Sequence, residues 1–151
     1  MEIAELEAEV AALVLDRFTE TEALRLGHIL TEIGLAEALP VVIDIRTPDR
    51  TLFHAALPGS APLNDLWARR KSNVALAFQM ASLLVGMQHR AKGETLAKHG
   101  LDATDHADHG GAVPIRVAGV GMVAVATVSG LPQVEDHKLV VRGLRQMKEM
   151  P

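Results

Sequence analysis

The 151-residue chain is 48% hydrophobic but only 3% aromatic, with one Trp, three Phe and no Tyr, so it has the size of one domain whose core must be built from aliphatic side chains. A formal net charge of −4 argues against nucleic acid and anionic lipid as partners, and so few rings leave little with which to stack bases. The absence of cysteine excludes disulfides, thiolate nucleophiles, Cys-ligated zinc and iron–sulfur clusters, and it fits a reducing, cytoplasmic setting.

Residues 2–15 place Ile3, Leu6, Val10, Leu13 and Val14 at helical spacing and predict a first helix with a narrow apolar stripe. Its acidic, amphipathic start lacks the basic opening and unbroken apolar centre of a signal peptide, and no apolar run in the chain approaches a membrane span. Thr19 and Glu22 have the form of a capping box that opens a second helix, which continues to about residue 39 with Leu26, Ile29, Leu30 and Ile33 on one face. Gly27 and Gly34 lie inside that helix, where each costs roughly 1 kcal/mol relative to Ala; close packing against a sheet or another helix would explain them. Pro40 stops the helix. The β-branched run 41–45 reads as a central strand, Thr47, Pro48, Asp49 and Arg50 as a turn, and 51–57 as a second strand, so the two make a hairpin.

After a loop at 58–62, Pro62 suits the first turn of a third helix, which carries Leu63, Leu66, Trp67, Val74 and Phe78. Arg69, Arg70 and Lys71 in its middle read as a solvated basic face. A further helix follows over about 80–91, then a short helical or irregular piece at 93–101. A second hairpin is expected from strands at 112–117 and 121–129, with Gly119 at the turn. Pro132 opens the last helix, with Glu135 and Asp136 in its first turn and Arg142, Arg145 and Lys148 toward its end, which complements the helix dipole. Two hairpins joined by helices predict an antiparallel sheet covered on its faces, an α+β architecture.

The densest chemistry lies in residues 102–115, DATDHADHGGAVPI. Asp105, His106 and His109 have the donor types for zinc, iron or manganese, and with His99 upstream and His137 downstream they suffice for a three-ligand open site. The same run also reads as a polar turn, because Asp caps backbone amides and Gly supplies positive φ. Gly110 and Gly111 allow a backbone to approach a ligand or a neighbouring chain, and their amides suit an anion; a tight turn needs no ligand at all. Ser82 and Ser129 have no nucleophile-elbow pattern around them. Glu135, Asp136 and His137 have the groups for proton transfer, although acids near a helix start ordinarily serve the dipole. Arg69 and Arg70 can hold a carboxylate or propionate by bidentate contacts, or pair with acids of a neighbouring subunit.

Three runs in this order, RRKSNVALAF, HGGAVPI and GMVAVATVSGLPQVEDHKLVVRGL, resemble the GlcG/HbpS-like superfamily, also called the haem-degrading domain family, and within it a branch of small stand-alone proteins of uncharacterised function. The matching positions are Arg70, Lys71 and Asn73; His109, Gly110, Gly111, Pro114 and Ile115; and Ser129, Gly130, Leu131, Pro132, Glu135, Asp136 and His137. With the strand PVVIDIR, the likeness spans about residues 20–147. It implies one profilin-like domain over 1–151, an antiparallel five-stranded sheet flanked by helices, and assembly as a homo-oligomer. The first helix, over 1–16 and outside the likeness, is a candidate assembly element. Where that branch carries an aromatic pair after the middle helix, this chain has Leu83 and Leu84.

Some relatives in the superfamily bind and sense haem or degrade it. The resemblance therefore implies a non-catalytic small-molecule-binding or sensing protein with haem or a related tetrapyrrole as leading ligand. Haem needs an axial ligand, an apolar slot and cations for its propionates. The candidate ligand-binding set is His109, Gly110, Gly111, Arg69, Arg70 and His137, and the candidate metal set is Asp105, His106 and His109. Two alternatives stand beside this reading: a metal-dependent enzyme using the 102–109 cluster, and an oligomeric interaction protein without a small ligand.

Overall fold

The computed structural model describes residues 1–150. Its elements run α1 (Ile3–Ala11), α2 (Glu20–Ala36), β1 (Val42–Arg46), β2 (Thr51–Ala56), α3 (Pro62–Phe78), α4 (Ser82–Lys92), a 3-10 turn (Leu96–His99), β3 (Ala112–Val117), β4 (Gly121–Ser129) and α5 (Gln133–Glu149). The strands form one antiparallel sheet in the order β2-β1-β4-β3. Each hairpin pairs its own strands, and the two hairpins join where Ile43 of β1 faces Val128 of β4.

Side chains alternate across the sheet and so feed two layers. Ile43, Ile45, Val113, Ile115, Ala126 and Val128 are all but inaccessible and pack with Leu26 and Leu30 of α2 and Val140 and Leu144 of α5. Their neighbours Ala112 and Val125 point the other way and meet Ala75 of α3. The α+β expectation holds, with helices over both faces. No helix among the described residues is long and apolar enough to cross a membrane.

The expected five-stranded sheet is corrected to four strands. At the outer edge of β3 a single residue takes the fifth place: Leu15 makes a parallel bridge to Val117, its N–H donating to Arg116 O at 2.9 Å while Ala118 N–H donates to Leu15 O at 2.9 Å. Asp16 and Arg17 are exposed and the chain then turns to cap α2, so pairing ends after one residue. For the same reason α1 stops at Ala11, not Leu15. Leu13 and Leu15 are drawn into the main core, and a continuing helix would hide the backbone that Leu15 offers to β3.

The stripe of α1 is used within the chain. Leu6 is fully buried against Ala81, Leu83 and Leu84, flanked by Ile3 and Val10, so Leu83 and Leu84 line a helix contact. The two glycines of α2 are explained by close packing: a Cβ on Gly27 would lie 2.4 Å from the Phe53 ring, and one on Gly34 would lie 2.3 Å from Leu57 Cδ1. The capping box forms as expected, with the Glu22 carboxylate accepting from Thr19 N–H and hydroxyl at 2.7 Å each.

Candidate functional site

Residues Asn64, Trp67 and Lys71 sit three or four apart on α3 and share one face. The 102–111 segment is pinned across that helix. The Arg70 guanidinium donates to Ala103 O at 2.8 and 3.1 Å, Asn73 Nδ2 donates to Asp105 O at 2.8 Å, and Ala107 N–H donates to Arg70 O at 3.2 Å. Asp102 closes an Asx turn by accepting from Thr104 N–H at 2.8 Å, and His106 Nδ1 turns back to Asp102 O at 3.1 Å. Most of the polar run thus serves as a fastened turn.

Lys71 is the centre of the site. Its ammonium donates to Gly110 O at 2.9 Å, Val128 O at 2.8 Å and Asp136 Oδ2 at 3.0 Å, which uses all three donors. Gly111, at φ +139°, permits this: a Cβ there would lie 2.4 Å from Lys71 Nζ and from Val128 O. Asp136, in the first turn of α5, also accepts from Leu131 N–H at 2.9 Å and Gly130 N–H at 3.3 Å, so it closes the β4–α5 turn. Burial pushes Lys71 below the usual range of an ammonium and Asp136 above the usual carboxylate range, while their mutual attraction pulls each back. Sequence reasoning placed Lys71 with a solvated basic run. The available signal was its position three residues from Ala68 and from Val74, on the buried face of α3.

A cleft of about 260 Å³ opens above this pair, walled by Trp67, His109, Ser129 and Gln133 with Lys71 and Asp136 at its base. His109 is half exposed and meets the Trp67 ring edge-on, with centroids 5.2 Å apart at 76°. The Gly110 amide donates to Gln133 Oε1 at 3.0 Å and Gly111 O accepts from Val128 N–H at 3.0 Å, so the close approach the two glycines permit is to their own chain. Beyond Trp67 an apolar ledge of about 640 Å³ is lined by Leu63, Leu66, Arg69 and Arg70. Leu63 and Leu66 are 61% and 62% exposed, and the Arg70 guanidinium carbon lies 4.4 Å from the Trp67 ring centroid.

The sequence-derived sets divide. His109, Gly110, Arg69 and Arg70 surround the Trp67 region. His137 does not join them: it is fully buried on the far side of α5, with Nε2 2.9 Å from Glu9 Oε1 and Nδ1 without a partner, and burial lowers its pKa. Glu135, Asp136 and His137 face Lys138, Lys71 and Glu9 respectively, so the three side chains are not brought together. Asp105, His106 and His109 are not brought together either. Asp105 is exposed at the ledge, His106 binds back to Asp102 O, and His109 lies on Trp67.

The family model described as haem degrading protein HbpS-like matches residues 18–145. A UPF0303 protein of Streptomyces coelicolor is 51% identical over 145 residues, which are 95% of this chain and 92% of the relative. The crystal structure of Ybr137w protein matches with a TM-score of 0.91 and 32% identity, covering 100% of this chain and 90% of that one. The crystal structure of a PduOC:heme complex shares the fold, with a TM-score of 0.67 at 18% identity over 87% of this chain and 94% of the other. A family match across most of the domain, in the order the three sequence runs gave, places this chain in the HbpS-like family.

Proposed function

We propose that the protein is a non-catalytic small-molecule-binding or sensing protein whose ligand seats over Trp67, with haem or a related tetrapyrrole as the leading candidate. The observation that carries the reading is the half-exposed His109 imidazole standing edge-on to Trp67, where the polar cleft meets the apolar ledge. The three requirements of haem fall within reach of one another: an imidazole in His109, an apolar floor in Leu63, Leu66 and Trp67, and guanidinium groups in Arg69 and Arg70. The cleft alone is below the range of about 300–1,000 Å³ usual for a ligand pocket, whereas the ledge lies within it. The family description and the relative solved as a haem complex support the same ligand class.

A non-catalytic role is favoured because Lys71 has no donor left for substrate and its carboxylate partner is engaged by two backbone amides as well. The pair therefore shapes the cleft. A metal-dependent enzyme built on the 102–109 cluster is disfavoured by the divergence of Asp105, His106 and His109. Homo-oligomer formation is a second reading of the same surface, because the exposed Leu63 and Leu66 are also what a subunit contact would cover.

The test is a haemin titration followed across the Soret region for the wild type, His109→Ala and Leu66→Glu, with sedimentation velocity on the same samples. Saturation at one haemin per chain that is lost in both variants supports the reading. A featureless, non-saturating response in the wild type overturns it. Dissociation of an assembly by Leu66→Glu, without any haemin response in the wild type, would transfer the ledge to subunit contact.

A further inference from the structure

We propose that His89, Glu94 and His99 form a site for a divalent transition-metal ion of the zinc or ferrous-iron class, with an open position facing solvent. Among the described residues this is the one trio of His, Asp or Glu side chains whose ligand atoms all lie within 4.8 Å of one another. It is separate from the ligand ledge and does not depend on haem binding there.

The local sequence builds the trio. His89, Glu94 and His99 are spaced five and five in HRAKGETLAKH. Helix α4 ends at Lys92, and Gly93, at φ +66°, reverses the chain so that Glu94 N–H donates to His89 O at 2.9 Å. The 3-10 turn Leu96–His99 then carries His99 back over His89, with the two rings stacked 5.4 Å apart at 20°. Phe78 meets both rings edge-on, at 5.7 and 5.1 Å, and buried Val74, Val85 and Leu96 form the apolar wall beside it. The imidazoles are thus held by packing before any ion arrives.

His89 is prepared for coordination by its own hydrogen-bond partner. This side chain is almost fully buried, and its Nδ1 lies 2.8 Å from Asp108 Oδ2. A carboxylate on one ring nitrogen fixes the tautomer and leaves the other nitrogen, Nε2, with its lone pair free to coordinate; metal-ligating histidines are ordinarily supported in this way. Glu94 is prepared similarly. Lys98 donates to its Oε1 at 2.8 Å and orients the carboxylate, while Oε2 stands 3.9 Å from His99 Nε2. Metal–ligand distances of about 2.0–2.2 Å require the donors to draw together slightly, which the partly exposed Glu94 and His99 permit. Two imidazoles and one carboxylate with an open side suit zinc with a bound water, or ferrous iron in a facial arrangement.

The experiment uses the full chain after chelator treatment, with Zn²⁺ followed by calorimetry and Co²⁺ by its visible absorption. The wild type is expected to bind one ion per chain. His99→Ala and Glu94→Gln, both partly exposed positions, should each weaken binding at least tenfold while far-UV circular dichroism and metal-free melting stay at wild-type values. Asp108→Asn should weaken binding by about 10- to 100-fold through the orientation of His89. His106→Ala should leave it unchanged. The absence of saturable binding overturns the proposal, as does binding that survives His99→Ala and Glu94→Gln or that is lost in His106→Ala.

Discussion

The Lys71 ammonium and the Asp136 carboxylate stand 3.0 Å apart with side-chain exposures of 3% each, and between them they tie α3, the Gly110–Gly111 turn, β4 and the start of α5 into one joint. The same joint forms the base of the cleft, so its integrity sets both stability and the shape of the cleft.

Removing one member of this pair leaves an uncompensated buried group, which ordinarily costs about 3–5 kcal/mol. Lys71→Met strands Asp136 together with the carbonyls of Gly110 and Val128, and a loss of that size is expected in urea unfolding. Asp136→Asn keeps one oxygen that can accept from Leu131 N–H and loses the acceptor for Gly130 N–H, and it should cost less than Lys71→Met because no unpaired carboxylate is left buried. The double variant should lose less than the sum of the two, since neither charge remains. Additive losses would mean that the two groups do not act as a pair.

Two histidines are expected to give opposite pH signatures. Burial lowers His137 below its ordinary 6.5, more than Glu9 raises it. The unfolded chain therefore binds a proton first, so the contribution of His137 is full above 6.5 and is lost as pH falls toward its folded value. His54 is also pulled down by burial, but its hydrogen bonds to Asp44 at 3.0 Å and Asp65 at 2.8 Å outweigh this and raise it. Its contribution is full below 6.5 and is lost as pH rises through its folded value. Melting curves between pH 5 and 8 should therefore flatten on the acid side in His137→Gln and on the alkaline side in His54→Gln, about the wild-type profile. A change on the wrong side in either variant would refute the assignment.

The glycines around the site are expected to be intolerant of a methyl group to different degrees. Gly111 at φ +139° is both in a region that L side chains rarely adopt and 2.4 Å from Lys71 Nζ, so Gly111→Ala should break the ion-pair joint. Gly86 is helical, but a Cβ there would lie 2.0 Å from Asp108 O and would push the 102–109 turn off α4. Gly93→Ala meets no atom within 4 Å and carries only the cost of its φ of +66°. The expected order of destabilisation in urea is Gly111→Ala and Gly86→Ala well above Gly93→Ala. Equal losses at all three positions would show that backbone strain alone decides.

The backbone plan was legible because each element carries its own periodicity and its own punctuation. Pro40, Pro62, Gly119 and the Thr19–Glu22 box mark boundaries within a few residues of those observed. The N-terminal segment was not legible, because Leu13 and Val14 continue the helical stripe of Ile3, Leu6 and Val10, and only the edge of β3, bridged by Leu15, selects the extended form. At the site, local spacing identified the Gly110–Gly111 turn and His109. It could not identify the partner of Lys71, 65 residues away in Asp136, nor separate His137 from its neighbour Asp136, since one step along α5 turns the side chain by about 100° and gives the two different partners, Lys71 and Glu9. The His89, Glu94 and His99 trio escaped for a related reason: a five-residue spacing matches no single helix face and becomes a cluster only after Gly93 reverses the chain.

Trp67 is the chain's one tryptophan, and it lies between Arg70 and His109, so its fluorescence reports on the place where cleft and ledge meet. The Arg70 guanidinium covers part of the ring and fastens Ala103 through two hydrogen bonds. Arg70→Ala removes both the cover and the fastening. Acrylamide quenching of Trp67 should therefore rise and its emission shift to the red, with a stability loss of about 1 kcal/mol or less because the groups are largely exposed. Arg69→Ala, which removes a charge from the same ledge without contacting the ring, should leave the emission near wild type. Haemin should quench Trp67 in the wild type and in His137→Gln alike, because His137 lies on the far side of α5. Quenching that depends on His137 and not on His109 would move the ligand surface to the α1–α5 side of the molecule.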